Sequence, residues 1–475
     1  MTPILVWLRR DLRLADNPAL AHAAAAGAVI PVYLHCPHEE TPWQTGAASR
    51  WWLHYSLKGL QSACADRGLP LIIRQPDSSL AGLRDLIHET GASRVVWNRL
   101  YEPATVERDR AIKLALREDG VAAESHNGAL LYEPWEIRKR DGGHYKAFTP
   151  FWRCLQEQQG PPAPLAIPEA RGPEIVPDSV SLEALDLLPG IPWDAHFHDI
   201  WEPGEAGARK RLEAFVAERL SGYDNNRNLP AQSGTSGLSP HLHYGDISPR
   251  QIWERVTGGG NVPDDVDTRS FLSEIAWREF SHHLLYYSPD MPEEPMDRRF
   301  RDFPWAADTD DSLLHAWQAG QTGIPIVDAG MRELWTTGWM HNRLRMVVGS
   351  LLTKNLRLPW QQGEAWFWDT LVDADLASNS MGWQWIQGCG ADAAPYFRIF
   401  NPVRQGERFD PDGTYVRQWV PELADLPAKH IHSPWQAPAG ELNRAGIRLG
   451  TTYPHPIVDL AGSRKQALEA YQAIR

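Results

Sequence analysis

Between Asp373 and Asn401 the chain reads DADLASNSMGWQWIQGCGADAAPYFRIFN, so that Asp373, Asp375 and Asn379 precede Trp383 and Trp385. A buried carboxylate or amide needs a hydrogen-bond partner, and an ordinary core has little use for three of them within seven residues. The group offers acceptors and an amide to a polar, planar heteroaromatic ring, with two indoles as π faces. On a helix those indoles point about 200° apart, so one can face a ligand and the other a cavity. A tryptophan-rich core with capping aspartates uses the same residue types, and both readings stand at this point.

Two further stretches could carry chemistry. After Tyr223 the chain runs DNNRNLPAQSGTSGLSPHLHYG, where Thr235, Ser236 and Ser239 lead into a helix start with Ser239 as N-cap and Pro240 in the first turn. Hydroxyls and unpaired N–H groups there suit a diphosphate, although an ordinary capped helix would look the same and no Walker GK[ST] is present. The second stretch, WMHNRLRM from Trp339 to Met346, predicts a helix with Asn342, Arg345 and Met346 on adjoining faces. Arg345 is then a partner for Asp373 or Asp375, in a ligand site or in a structural salt bridge. The histidine pairs His241/His243, His282/His283 and His430/His432 match no HExxH pattern, so they read as surface or capping residues and no metal site is expected.

The elements that must position these residues follow from periodicity. A chain of 475 residues exceeds one ordinary core and predicts at least two domains. Apolar runs Ile4–Leu8, Val29–Leu34, Leu71–Ile73, Val95–Asn98 and Val121–Glu124 alternate with helical patterns, which predicts a doubly wound parallel-sheet α/β domain over residues 1–130. No GxGxxG follows the first run, so a dinucleotide in the Rossmann position is not supported. Residues 131–200 read as an interdomain linker because eight prolines crowd Gly160–Pro192. Residues 201–475 read as an all-α domain.

Four cysteines with no paired spacing suggest a reducing, cytoplasmic setting, and no apolar run suits a leader or a membrane span. The net charge of -13 argues against a nucleic-acid partner. Yet Arg332, Arg343, Arg345, Lys354 and Arg357 face only Glu333 within Met331–Gly363, which leaves room for a local basic face. Seven of the 22 tryptophans fall between Trp335 and Trp385, a density that suggests use of the ring in stacking or electron transfer.

RRDLRLADNPAL, GTSGLSP, EIAWREF, TGIPIVDAGMRELWTTGWMHNRLRM and DADLASNSMGWQWIQGCGADAAPYFRIFNP together resemble the cryptochrome/DNA photolyase family over nearly the whole chain. The resemblance implies an N-terminal antenna domain and a helical catalytic domain that holds reduced FAD without a covalent link. It assigns Tyr223, Thr235, Ser236, Gly237, Leu238 and Ser239 to the FAD phosphates and ribityl chain. Phe271, Asp373 and Asp375 go to the adenine-ribose and flavin side, Asn379 to flavin N5, and Arg345 to a counter-cation beside Asp373. Trp383, Trp360 and Trp305 match the family's electron relay.

Within the family the motifs are most similar to class I cyclobutane pyrimidine dimer photolyases, which pass an electron from light-excited flavin to a flipped-out dimer. On that basis Trp277 and Trp385 form π walls for the extruded bases, and Glu274 meets a pyrimidine carbonyl as a neutral acid. Asn342, Arg343 and Met346 complete the rim; Arg278 stands beside Glu274 as a DNA contact or as its ion-pair partner. Six-four photolyases place histidines at the positions of Asn342 and Met346, so cyclobutane dimers in damaged DNA are the expected substrate, handled by a monomer. An antenna would be methenyl-tetrahydrofolate or a deazaflavin, but Ala104-Thr105 and Pro292-Glu293 stand where folate-type relatives carry Asn-Glu and Cys-Lys. The rival expectation is a cryptochrome photosensor; those proteins usually carry a C-terminal extension, whereas Arg475 follows shortly after Asp459.

Overall fold

The computed structural model describes residues 2–158, 160–309, 311–393 and 397–475, so residues 394–396 of the Asp373–Asn401 motif lie outside the described residues. Strands β1 (Pro3–Leu8), β2 (Ala28–Leu34), β3 (Ile72–Arg74), β4 (Arg94–Asn98) and β5 (Ala122–His126) form one parallel sheet in the order β3-β2-β1-β4-β5. A parallel sheet covered on both faces favours continuous apolar strands, and β1 and β2 read PILVWL and AVIPVYL. Ile4 of β1 lies opposite Val29 on one side and Arg94 on the other.

Helices α1 (Pro18–Ala26), α2 (Ala47–Ala65), α3 (Ser79–Thr90) and α4 (Pro103–Glu118) make the crossovers. The expected strands fall within a few residues of these bounds. Helix α1 escaped separate prediction because PALAHAAAA has no apolar stripe; its start is set by Asn17, whose side chain accepts from Leu20 N, and by Pro18 at the first helical position. A cavity lined by Trp7, Arg10, Tyr33, Arg108 and Tyr244 lies at the C-terminal ends of β1 and β2.

The proline-rich stretch does not hang free. Arg171 O accepts from Val29 N at 2.8 Å, Ser179 Oγ from Ile73 N at 2.9 Å, and Ile73 O from Val180 N at 2.9 Å. Prolines remove donors, and the remaining backbone groups find partners on the α/β body instead of on one another. Helix α5 (Phe148–Gln156) lies inside the stretch expected to be a linker.

Contacts divide the chain into two compact units. The first comprises Met1–Ser221, Ser236–Pro289 and Val372–Ala377; besides the sheet it holds the helices Glu205–Glu218, Pro249–Thr257 and Val266–Tyr287. Ser248 and Gln251 cap Pro249–Thr257 reciprocally, and Gly258 ends it in the left-handed conformation. The second unit comprises Gly222–Thr235, Asp290–Leu371 and Ser378–Arg475. It is helical, with Pro325–Thr337, Asn342–Ser350, Trp360–Thr370, most of Leu376–Gln387, and Leu460–Ala473. Among the described residues no helix is long and apolar enough to cross a membrane.

Candidate functional site

In the first unit the chemistry gathers around Asp375. This buried carboxylate lies 3.4 Å from His282 Nε2 and 3.7 Å from His243 Nδ1. Burial pushes its pKa up, but His282, His243 and Arg278 outweigh burial and hold it well below the usual carboxylate range. These histidines are therefore not surface residues: His241, His243, His282, His283 and His432 are all buried. His241 Nδ1 meets Asp246 Oδ2 at 3.0 Å, and its ring packs edge-on against Trp52. Motif spacing gave no sign of this, because the carboxylate of the His243/His282 group comes from the distant Asp375.

Asp373 accepts a 2.6 Å hydrogen bond from Ser239 Oγ. Ser239 opens the five-residue helix Ser239–His243 as its first residue, with Leu238 at the N-cap, so its hydroxyl serves the aspartate rather than the cap. Ser236 Oγ accepts from Leu238 N at 3.3 Å, and Gly237 turns with φ +63° in the left-handed region. A Cβ at Gly237 would stand 2.6 Å from Arg211 Nη1, so the loop admits only glycine comfortably. Phe271 is buried with its ring 4.5 Å from Phe215.

Glu274, Trp277 and Arg278 form a half-buried stripe on Val266–Tyr287, a helix started by Asp265, which accepts from Thr268 N. The Phe148 ring of α5 stacks on Trp277 at 3.7 Å and 9°, which commits one indole face. Arg278 Nη1 donates to Ala129 O at 2.8 Å. Next to it Glu279 is buried, accepts from Leu131 N at 2.9 Å, and is pushed by burial to about 7.

In the second unit Asn379 opens a polar ladder on Leu376–Gln387. Its Nδ2 donates to Glu364 O at 3.1 Å, which turns Oδ1 the other way. Ser380 Oγ donates to Glu364 Oε1 at 2.5 Å, while Glu364 Oε2 is buried with no hydrogen-bond partner among the described residues. Burial pushes the Glu364 carboxyl well above the usual carboxylate range. One turn on from Asn379, Trp383 is buried, and its Nε1 has no hydrogen-bond partner among the described residues.

Gly363 makes room for Trp383, since a Cβ there would lie 2.1 Å from the indole. Trp383 packs edge-on against Phe367 at 5.0 Å and Trp317 at 6.2 Å. Trp317 is fully buried and donates from Nε1 to Val348 O at 3.0 Å. Trp360 and Trp305 line one cavity of about 240 Å³ together with Glu293, Phe300 and Arg301. Trp385 is half-buried beneath the Arg398 guanidinium, 5.1 Å from its ring.

Tyr223 is buried at the start of a four-residue helix under Arg227, and Thr235 is half-buried in the same unit. WMHNRLRM is helical only from Asn342. His341 is the N-cap, buried, and its Nδ1 accepts from Arg343 N at 3.1 Å. Asn342 is exposed, Arg343 Nη1 meets Met346 Sδ at 3.7 Å, and Arg345 Nε donates to Met340 O at 2.8 Å.

The expected basic face over Met331–Gly363 does not form. Lys354 is fully buried, donates to Gln387 O, sits 3.3 Å from the centre of the Phe397 ring and is held well below its usual pKa by burial. Arg332 pairs with Glu422 at 2.8 Å, and Arg343 stacks on Phe409 at 4.4 Å while bonding Asn228. The count of cations along the stretch left room for such a face, but packing buries Lys354 and engages Arg332 and Arg343 with other partners.

Sequence reasoning missed Phe148, Trp317 and Glu364. Phe148 sits in a presumed linker, and Trp317 is one indole among many. Glu364, four residues after Trp360 and in a mostly apolar helix, was the only one with a readable signal. Among the described residues one cluster has metal-ligand composition, His22, Glu124 and His126. Arg94 Nη1 already lies 2.9 Å from His22 Nε2 and 3.1 Å from Glu124, so a guanidinium is the cation held there.

Residues 4–169 match the family model described as DNA photolyase, and residues 271–473 match the FAD binding domain of DNA photolyase. A deoxyribodipyrimidine photo-lyase of Agrobacterium fabrum is 48% identical over 476 residues, covering 100% of this chain and 98% of that protein. Cryptochrome-1 of Arabidopsis thaliana is 42% identical, covering 98% of this chain and 70% of the plant protein. The crystal structure of a bacterial class III photolyase from Agrobacterium tumefaciens superposes with TM-score 0.95 at 47% identity, covering 100% of this chain and 98% of that one.

Proposed function

The chain belongs to the cryptochrome/DNA photolyase family and is a deoxyribodipyrimidine photo-lyase that repairs DNA by light; on that premise we propose how its residues divide the work. The class I placement suggested by motif resemblance gives way, in our reading, to class III, which the 47% identity and TM-score of 0.95 to the Agrobacterium tumefaciens enzyme support.

The donor set fits a flavin dinucleotide. Asp375 is an ionised acceptor, Asp373 is oriented by Ser239, and the Asn379 amide is fixed by Glu364 O. Thr235, Ser236, Gly237, Leu238 and Ser239 would hold the phosphates and ribityl chain, with Tyr223 and Phe271 as apolar support. When bound, FAD supplies the light absorption and the single electron that splits the dimer.

With one Nδ2 hydrogen on Glu364 O, Asn379 would still offer Oδ1 as an acceptor and its second N–H as a donor to a ring nitrogen. Asp375 keeps a fixed negative charge in low dielectric and so favours N–H and O–H donors at its side of the ligand. Arg345, whose Nε donates to Met340 O, is the compensating cation in this reading. We assign the electron relay to Trp383, Trp360 and Trp305, and the last two share the wall of one cavity.

Toward DNA, Trp277 would meet an extruded base on the face opposite Phe148, and Trp385 would offer a ring. Glu274 would accept or donate at a pyrimidine carbonyl, with Arg278, Asn342, Arg343 and Met346 around the rim. The observation that carries lesion choice is the pair Asn342 and Met346, an amide and a thioether. Neither is a general acid, whereas His341, the nearest imidazole, is buried, caps the helix through Nδ1 and is lowered to about 4 by burial and by Arg343 and Arg345. Six-four bond rearrangement needs a proton donor there; cyclobutane splitting does not.

The test is illumination of the reduced enzyme with DNA carrying one lesion or the other, scored by product mass. Repair of cyclobutane dimers alone is expected, and six-four repair would overturn the assignment. Repair of neither lesion would favour the photosensor reading that the 42% identity to the plant cryptochrome supports.

A further inference from the structure

An acidic protein that acts on DNA needs a local patch of cations to meet the phosphates, because its mean field repels them. With Lys354 buried and Arg332 and Arg343 turned inward, the Met331–Gly363 stretch does not supply an open one. An exposed cluster occurs instead in the first unit, in the segment between β5 and α5.

Arg138, Lys139 and Arg140 are consecutive and all exposed, with Lys146 and Arg153 exposed close by. Among the described residues none of these five has a carboxylate within ion-pair distance. The three lead cations sit on a tight turn, in which Gly142 N donates to Lys139 O at 2.9 Å and Lys139 N to Gly143 O at 2.9 Å. Gly142 takes φ +82°, which suits glycine at such a turn. The neighbouring acid, Asp141, is occupied by the turn itself and accepts from Gly143 N at 2.9 Å. Three cations outnumber this one carboxylate, so the turn keeps a net positive charge.

The turn is bolted to the helix that carries the lesion-facing stripe. His283 of Val266–Tyr287 accepts from Tyr145 N at Nε2, 3.1 Å, and meets Pro134 O through Nδ1 at 3.2 Å, so one ring ties both ends of the segment. Burial lowers His283 to about 4, which keeps it neutral and able to donate on one side while accepting on the other. His144 stacks on Tyr287 at 4.6 Å and 9°, and Phe148, at the end of the segment, stacks on Trp277. From Trp277 to His283 and Tyr287 the helix rises about 9 to 15 Å, the axial span of about three to five nucleotides.

We infer that the Arg138–Arg140 turn is a second DNA grip, which holds backbone phosphates about three to five nucleotides from the lesion whose bases face Trp277. The inference rests on the repair reading above. It adds a partner surface in the α/β unit to a site otherwise built from helices.

The experiment compares the full-length flavoprotein with an R138Q/K139Q/R140Q variant. The probes are a duplex bearing one cyclobutane thymine dimer and the same duplex undamaged, titrated at several salt concentrations. Two phosphate contacts correspond to a log–log slope of about 1.8, so between about 50 and 200 mM salt the wild type should lose about tenfold more affinity than the variant, on both duplexes. Trimming the duplex to about two base pairs on either side of the dimer should erase that difference. The flavin absorption spectrum and melting temperature of the variant report on folding. An unchanged slope overturns the inference, whether or not affinity falls, because weaker binding at constant slope is a shape effect rather than a lost phosphate contact. Failure of the wild type to repair the dimer would instead remove the repair reading while the slope comparison still reports on the turn.

Discussion

Replacing Glu333 by glutamine should make the protein's stability less sensitive to pH, by an amount the structure fixes. Glu333 is buried on Pro325–Thr337, where Oε2 accepts from the Tyr415 hydroxyl at 2.6 Å and from His341 N at 3.2 Å. Burial pushes its carboxyl from 4.5 to about 7, against the opposing pull of Tyr415, the His341 N–H and Arg345. The folded state therefore binds this proton more tightly than the unfolded chain does. The stabilisation is complete below about pH 4.5, declines as pH rises and is spent above about pH 7. A window of about 2.5 pH units at about 1.4 kcal/mol per unit is worth about 3 kcal/mol.

Glutamine resembles the neutral acid and has no proton to lose, so Glu333→Gln keeps an acceptor for Tyr415 and removes the titration. Urea unfolding of both proteins, followed by tryptophan fluorescence across about pH 4 to 8, reads the effect as a difference. That difference should move about 3 kcal/mol in the variant's favour as pH rises. A difference independent of pH would refute the reasoning, and one of opposite sign would mean that Arg345 keeps the carboxylate ionised throughout.

Two shorter predictions concern Trp383. Gly363→Ala puts a Cβ 2.1 Å from the indole, well inside contact distance, so the ring must shift; a loss of about 1–3 kcal/mol in unfolding free energy and slowed light-driven flavin reduction are expected, and an unchanged melting temperature would contradict the packing. Trp383→Phe should abolish that photoreduction while repair survives chemical reduction of the flavin, and normal photoreduction in the variant would direct attention to another route past Trp317.

Much of the fold was readable from pattern. Strands β1 and β2 are continuous apolar runs and most of the longer helices carry their own caps or a clear period, so local chemistry fixed them. The ligand-binding motifs were readable too, because Asp373, Asp375 and Asn379 are expensive to bury without partners. What the sequence could not decide was which partners those groups take. Asp375 is held low because His243 and His282, remote in the chain, converge on it, and Glu364 is pushed up because burial strips it of water. The same holds for the cations: their count left room for Lys354 and Arg343 on a basic face, but Lys354 is buried against Phe397, while the Arg138–Arg140 turn inside a presumed linker stayed exposed. Burial sets the dielectric around a charge and long-range packing sets its neighbours, so residue type came from the sequence and ionisation, orientation and exposure came only from the tertiary structure.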